Sequence, residues 1–218
     1  MPASYIRRRR SFADWAGFAF FFASAIAILL GAPRLSLLML PTLVLESMIA
    51  VSFLIRRPLR SDLKGWAPKL SAYAGSFLVL IFLAFARKFH PAWVAPSPSA
   101  GAGLGMLIWF AGSLFGGWTA WHLRRSFSLE PQARTLVTSG PYRFARHPIY
   151  ASYLLQYLGV WLNYSTAAFA AILIFWLAIT LVRVRFEETV LRSVFPEYTE
   201  YAARVGMYGP RRVVGHQA

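Results

Sequence analysis

Cysteine is absent from this 218-residue chain. Its absence excludes a disulfide, a thiol nucleophile, a thiolate metal site and a C-terminal prenylation signal. Acidic residues are scarce, with eight Asp and Glu against 23 Lys and Arg, and charged residues of both signs make up only 14% of the chain. Hydrophobic residues make up 57%. Because they fall into long blocks and not into periodic stripes, the composition indicates a protein that crosses a membrane several times.

Six apolar blocks divide the chain. They cover residues 12–30, 35–55, 70–86, 103–121, 148–164 and 167–182. The first four are predicted to be spans of the membrane, whose hydrocarbon core is ~30 Å thick. The last two, which are joined by Ser165-Thr166, predict a tight helical hairpin that either spans the membrane or is partly re-entrant. The sequence therefore predicts an all-α integral membrane protein. It has about four transmembrane helices plus a C-terminal hairpin, giving five to six spans, and amphipathic C-terminal helices.

The basic residues predict which way the helices run. With the N-terminus inside, every Lys and Arg except Arg34, Arg87 and Lys88 falls in a cytoplasmic segment, as the positive-inside rule requires. An even number of crossings then places the C-terminus inside as well. The net charge of +15 is thereby assigned to the inner leaflet of a prokaryotic cytoplasmic membrane, and nucleic acid is not expected as a partner.

Two of the apolar blocks contain residues that are unusual in a membrane span. Glu46 is a functional candidate because ionisable groups are costly at that depth. No second polar residue stands beside it, however, so a protonated acid bonded to a neighbouring helix is the favoured interpretation. Asp14 is expected to reach headgroup water.

Gly112 and Gly116 have the small-xxx-small spacing that favours close helix contact.

Residues 140–150, GPYRFARHPIY, combine turn formers, cations and a histidine inside an otherwise apolar protein. His147 precedes Pro148, so it is pushed out of the helical region, while the proline suits the first turn of a helix. His147 is therefore expected at the mouth of a membrane helix, with Arg146 beside it and free backbone N–H groups nearby. Such a place suits a carboxylate or a phosphate. On these residues alone, an ordinary interfacial anchor is the favoured alternative.

A second polar cluster contains Glu187 and Glu188. On a helix they form i,i+4 pairs with Arg183 and Arg192, which is a purely structural role. They point about 100° apart, so they are not expected to share one function. Together the two clusters offer cations for a carboxylate, glutamates for an ammonium or ribose hydroxyls, and aromatic rings for a purine. That set matches an amino-acid–nucleoside cofactor such as S-adenosylmethionine. The four histidines lack ligand spacing, so no metal site is expected.

Two motifs resemble those of a known family. Residues 136–150 are similar to the core motif of the isoprenylcysteine carboxyl methyltransferase family, which is related to membrane phospholipid methyltransferases. A second motif begins at Glu187-Glu188 and continues at the family's spacing through Leu191, Phe195, Tyr198, Tyr201 and Val205. The resemblance covers about residues 118–210. It implies that residues 1–117 are membrane-anchoring helices and that residues 118–218 are the methyltransferase core.

The resemblance also implies an activity, a cofactor and site residues. The enzyme would transfer a methyl group from S-adenosylmethionine to a lipophilic acceptor: a prenylcysteine-like carboxylate, a lipid amine or a small hydrophobic molecule. Cofactor contacts are implied at Val137, Gly140, Tyr142, Arg146, His147, Pro148, Tyr150, Glu187 and Glu188. Catalytic roles are implied for Arg146 and for one or both of Glu187 and Glu188, a glutamate serving as the base for an amine acceptor.

Met207 departs from the family pattern, which usually has an arginine at this place. The departure favours an amine-headed lipid or a small hydrophobic acceptor over a prenylcysteine carboxylate, unless Arg211 or Arg212 replaces the arginine. Two other functions remain open. An NADPH-dependent reductase of the sterol type has a similar C-terminal region, but usually a longer chain with more spans. A non-enzymatic scaffold or transport protein does not require the two polar clusters to touch.

Overall fold

The computed structural model describes residues 12–31, 40–94 and 101–209. Helices occupy most of this part of the chain. They are α1 (Phe12–Gly31), α2 (Leu40–Ile55), α3 (Trp66–Phe89), α4 (Gly101–Leu123), α5 (Pro148–Tyr164), α6 (Ala167–Val194) and α7 (Glu197–Arg204). The all-helical membrane fold expected from the apolar blocks is confirmed. The basic arm before residue 12, Arg34, and Arg211 and Arg212 lie outside the described residues.

Three of these helices, α3, α4 and α6, are long and apolar enough to cross a membrane, and α1 and α2 are shorter apolar helices. Their outer surfaces carry large apolar side chains. Ile81, Leu107 and Ile174, for example, are 65%, 62% and 70% exposed. Such an apolar exterior is disfavoured in water and suits contact with lipid. The cytoplasmic placement of the two termini stays a prediction.

Glycines bring α4 and α5 into close contact. A Cβ added at Gly105 would lie 2.6 Å from the Gly159 carbonyl oxygen, and one added at Gly159 would lie 2.4 Å from the Gly105 carbonyl oxygen. Gly112 has the same relation to the Gln156 backbone nitrogen, at 2.9 Å. Gly116 faces Leu45 of α2, at 2.8 Å. The close helix contact predicted for Gly112 and Gly116 is confirmed.

Substituting Gly159 with alanine is expected to lower the thermal stability of the protein in detergent clearly, because the added methyl group meets the backbone of α4. Gly117→Ala is the matched control, since a Cβ at Gly117 meets nothing within 4 Å. Thermal unfolding of both variants checks the expectation. Equal melting temperatures would show that α4 and α5 do not pack through this glycine.

The connections α2–α3 and α4–α5 lie on the same side of the helix bundle. Ser61 and Asp62 pair with Ala133 and Gln132 in a short antiparallel ladder of two strands, β1 (Ser61–Asp62) and β2 (Gln132–Ala133). Buried Arg134 reinforces this junction by donating to the Arg57 carbonyl oxygen. The pairing places two of the basic connections predicted to be cytoplasmic beside each other.

The first two helices are joined by an ion pair. Arg56, just after α2, donates from Nε to Oδ1 of Asp14 at 2.6 Å, and Asp14 is buried. The expectation that Asp14 reaches headgroup water is therefore wrong. Its charge is balanced by an arginine from a different helix, 42 residues away, and no short-range sequence pattern announces that partner.

Helix α6 extends twelve residues beyond the predicted apolar block and carries Glu187 and Glu188 on the same rigid element. After Phe195, helix α7 turns back against α6. A compact cluster buries this turn and contains Ala133, Val190, Phe195, Tyr198, Tyr201, Ala202 and Val205. Tyr198 and Tyr201 of the second motif therefore pack against protein and fix α7 beside the second polar cluster.

Candidate active site

A tight turn before α5 places the first polar cluster. Residues Gly140–Arg143 form one 3₁₀ turn, and Gly140 has a φ of 59°. A Cβ at Gly140 would lie 2.3 Å from Nε2 of His122 on α4, so glycine is required both by backbone conformation and by space. His147 then caps α5, which begins at Pro148 as predicted.

Arg146 and Glu188 form the central contact of the site. Arg146 donates from Nε and Nη2 to Oε1 of Glu188, each at 2.8 Å, and His147 Nε2 lies 3.2 Å from the same oxygen. The Arg146 and Glu188 side chains are only 6% and 14% exposed. Arg146 also donates from Nη1 to the carbonyl oxygens of Ala202 and Val205, at 3.0 and 2.7 Å. The two polar clusters are thus in direct, largely buried contact.

Glu187 lies on the other side of the same histidine, with its Oε2 3.7 Å from His147 Nδ1. It accepts hydrogen bonds from the Tyr150 hydroxyl and from Arg183 Nε, the latter at 3.1 Å. Arg183 is buried, and its guanidinium lies 5.2 Å from the centre of the Tyr150 ring. The two adjacent glutamates therefore have different arginine partners in the site, and both lie beside His147. Glu188 holds Arg146 and His147, and Glu187 holds Arg183 and Tyr150.

The segment after α7 closes one side of the site through its backbone. Arg146 N–H donates to the Gly206 carbonyl oxygen at 2.9 Å, and His147 N–H donates to that of Met207 at 3.1 Å. The Met207 side chain packs against the hydrophobic core that includes Phe53 and Ile149. A methionine at this place therefore has an apolar packing role, which accounts for the departure from the family's arginine.

Tyr201 ties α7 to the turn at Tyr142. Burial raises the pKa of Tyr201 to about 12, so its hydroxyl stays protonated at neutral pH and donates to the Tyr142 carbonyl oxygen at 2.5 Å. The Tyr142 hydroxyl is itself buried and has no hydrogen-bond partner among the described residues. A buried donor of this kind is uncommon, and it marks a place where a ligand could supply the missing acceptor.

A cavity of about 350 Å³ runs along these residues. Its volume is in the range of small-molecule pockets, ~300–1,000 Å³. Six of the predicted site residues line it: Val137, Tyr142, Arg146, His147, Tyr150 and Glu187. The other three have supporting positions. Gly140 shapes the turn, Pro148 begins α5, and Glu188 orients Arg146 and His147.

Several cavity residues were not singled out from the sequence. Arg134 stands in a polar connection without a motif, and Arg183 was interpreted only as an i,i+4 partner of Glu187. Tyr153 and Gln156 lie inside an apolar block, where single polar side chains give little signal. Their spacing by three to four residues places them on one face of α5, and that periodicity was the available clue.

Comparison with known proteins agrees with this geometry. Residues 101–198 match a family model described as phospholipid methyltransferase. The chain is 35% identical over 135 residues to the cobalt-zinc-cadmium resistance protein CzcN of Cupriavidus metallidurans, a match covering 61% of this chain and 59% of that protein. It is 28% identical over 137 residues to the nickel-cobalt-cadmium resistance protein NccN of Alcaligenes xylosoxydans xylosoxydans, covering 62% of this chain and 61% of that protein.

The chain thus spans about three-fifths of the length of these curated relatives. The matched region begins with α4, contains both polar clusters and ends at Tyr198 in α7. It therefore holds the Arg146–Glu188 contact and most of the polar cavity wall. The resemblance inferred from the two motifs is confirmed: residues 101–198, which contain the first motif and most of the second, match the family model described as phospholipid methyltransferase.

Proposed function

We propose that this protein is an integral membrane methyltransferase that takes its methyl group from S-adenosylmethionine and transfers it to a lipophilic acceptor. We place it in a prokaryotic cytoplasmic membrane with its site facing the cytoplasm. The observation that carries the proposal is the buried contact of Arg146 and His147 with Glu188 beside a cavity. All three residues lie in the region that matches the methyltransferase family.

The polar end of the cavity has groups that suit each part of this cofactor. Arg146 can bind its carboxylate through the second N–H of Nη2, since its bonds to Glu188, Ala202 and Val205 use the other four of its five N–H donors, and His147 lies beside it. Glu187 can accept from its ammonium or from ribose hydroxyls. The buried Tyr142 hydroxyl can donate to one of its oxygen or nitrogen atoms. The bound cofactor supplies an electrophilic methyl group on a sulfonium.

The protein's own contribution to methyl transfer is alignment and exclusion of water. Glu187 lies at the cavity wall, where it can also take a proton from an amine acceptor. Farther from the polar clusters the wall becomes apolar, with Leu80, Leu83, Trp109 and Val160. A lipophilic acceptor reaching the site from the membrane would meet this part of the wall.

Binding of S-adenosylhomocysteine to the purified protein tests the proposal. Calorimetry in nonionic detergent is expected to show saturable binding, and a concentration 100 times the dissociation constant is expected to stabilise the fold by ~2.7 kcal/mol. NADPH, tested side by side, is expected to give neither effect. Protein that binds NADPH and not S-adenosylhomocysteine would instead support the reductase alternative. Membranes incubated with cofactor carrying a labelled methyl group then identify the acceptor.

Tyr142→Phe is expected to raise the stability of the ligand-free protein and to lower its affinity for S-adenosylhomocysteine. Removing a buried hydroxyl that lacks a partner is expected to raise the stability of the ligand-free protein by ~1 kcal/mol or more, since its desolvation is no longer uncompensated. The same change is expected to weaken S-adenosylhomocysteine binding several-fold, because the ligand loses a donor. Thermal unfolding and calorimetry measure the two effects. An unchanged affinity would remove Tyr142 from the cofactor site.

The names of the two curated relatives concern resistance to metals. Within the described ranges, no group of three or more His, Cys, Asp or Glu side chains could hold a metal ion.

A further inference from the structure

The cavity continues from the polar clusters toward Glu46 on α2. Glu46 stands nine residues before the end of α2 at Ile55, which corresponds to about 14 Å along the helix axis. It therefore lies deep in the bundle, well away from the basic connection that begins at Arg56. An ionisable side chain that lines a cavity at this depth is expensive and usually has a function.

Polar side chains share the cavity wall with Glu46, although none is adjacent in the sequence. Ser24 of α1 interacts with its carboxyl group. Thr42, one turn earlier on α2, is bonded to Ser113 of α4 at 2.8 Å, and Gln156 of α5 is buried. Ser24, Thr42, Glu46 and Gln156 all line the cavity. A carboxyl group offers several lone pairs, so Glu46 has acceptor capacity for a ligand.

Aromatic rings form another wall beside Glu46. Tyr153 and Tyr157 interact electrostatically with Glu46, and both line the cavity. Their rings are stacked with centroids 6.4 Å apart, and Tyr157 packs edge-on against Trp176 at 4.9 Å, which fixes its orientation. A carboxylate next to aromatic faces is the combination that binds an ammonium group.

We propose that Glu46 binds the amine head of the methyl acceptor, and that this acceptor is a lipophilic amine without a phosphate. A phospholipid headgroup is disfavoured here, because placing its amine at Glu46 would draw the charged phosphate into the apolar wall near Leu80 and Leu83. Glu46 would then determine acceptor specificity from outside the family-matched region, which begins at residue 101. The statement that the bound amine is the methyl acceptor rests on the proposed function. Binding of the amine at Glu46 does not require a bound cofactor.

Dodecylamine and dodecanol are the probes for this subsite, because they share a chain and differ in the head. Binding to purified full-length protein in nonionic detergent is measured by calorimetry, with protein-free micelles subtracted. The wild-type protein is expected to bind the amine at least tenfold more tightly than the alcohol. Glu46→Gln is expected to lose at least tenfold in amine affinity, with alcohol affinity unchanged. Glu46→Asp is expected to keep the preference for the amine.

Two controls separate this inference from the proposed function. Glu200→Gln, at an exposed glutamate, is expected to bind both probes like the wild type. S-Adenosylhomocysteine affinity is expected to stay within twofold in Glu46→Gln, which also shows that the variant is folded. Equal affinity of the wild type for amine and alcohol, or undiminished amine binding by Glu46→Gln, overturns the inference. Wild-type protein that prefers the amine but fails to bind S-adenosylhomocysteine overturns the proposed function and still supports the amine site.

Discussion

Replacing Arg146 with alanine is expected to lower the free energy of unfolding by about 3–5 kcal/mol, the cost of breaking a buried ion pair by removing one partner. The substitution leaves the largely buried Glu188 carboxylate with only His147 and the half-exposed Arg192 as partners. It also removes the donor that holds the carbonyl oxygens of Ala202 and Val205 at the end of α7. Because the same guanidinium is proposed to bind the cofactor carboxylate, S-adenosylhomocysteine binding is expected to disappear. Denaturant titration and calorimetry in detergent measure both losses.

Arg204→Ala is the matched control for this experiment. Arg204 pairs with Glu200 on the surface of α7 at 3.5 Å, and both side chains are more than two-thirds exposed. Exposed i,i+4 pairs contribute only ~0.3–0.5 kcal/mol. If the Arg146→Ala variant is as stable as the Arg204→Ala variant, the contact between the two polar clusters does not hold α7 in place.

Replacing Arg183 with alanine is expected to have the second-largest effect, about 3 kcal/mol, at the lower end of the ~3–5 kcal/mol range for a buried pair. The guanidinium joins α6 to α3 by donating to the Ser76 hydroxyl at 2.9 Å and to the Ala72 carbonyl oxygen at 3.3 Å. It also donates to the Leu129 carbonyl oxygen at 2.5 Å. Glu187 keeps its bond to Tyr150 and is 19% exposed, so the substitution leaves its charge only partly uncompensated.

Arg185→Ala tests whether the loss depends on position and not on charge, because Arg185 is two residues away on α6 and exposed. It is expected to change stability by less than ~0.5 kcal/mol. Methyl transfer and S-adenosylhomocysteine binding are expected to fall strongly in Arg183→Ala and to stay near wild type in Arg185→Ala. Full activity in Arg183→Ala would argue that Glu187 needs no arginine to keep its place at the cavity.

Much of the architecture could be predicted because a membrane imposes a simple relation between hydropathy and helix length. The six apolar blocks became α1 to α6, and the His147-Pro148 step marks the start of α5 as backbone sterics require. The meeting of the two polar clusters was also predictable, since the charge pattern and the motif spacing placed Arg146 and Glu188 on one face. The ion pair between Arg146 and Glu188 itself was not predicted from the sequence and is seen only in the structure.

Contacts between distant helices were beyond the reach of the sequence. Asp14 pairs with Arg56, which is 42 residues away, so no helical spacing connects the two partners. Arg183 offered a plausible local partner at i+4, so its larger role between α3 and α6 was hidden. Local periodicity describes one helix at a time. It says little about which faces of two helices will be turned toward each other.

The backbone bonds from Arg146 and His147 to Gly206 and Met207 set the order in which the protein can mature. Met207 is translated about 60 residues after His147, which at ~5–20 residues per second is a delay of several seconds. During that interval the helices up to α5 can enter the membrane while one wall of the site does not yet exist. The site between these segments is therefore completed late in biogenesis, after most of the chain has been translated.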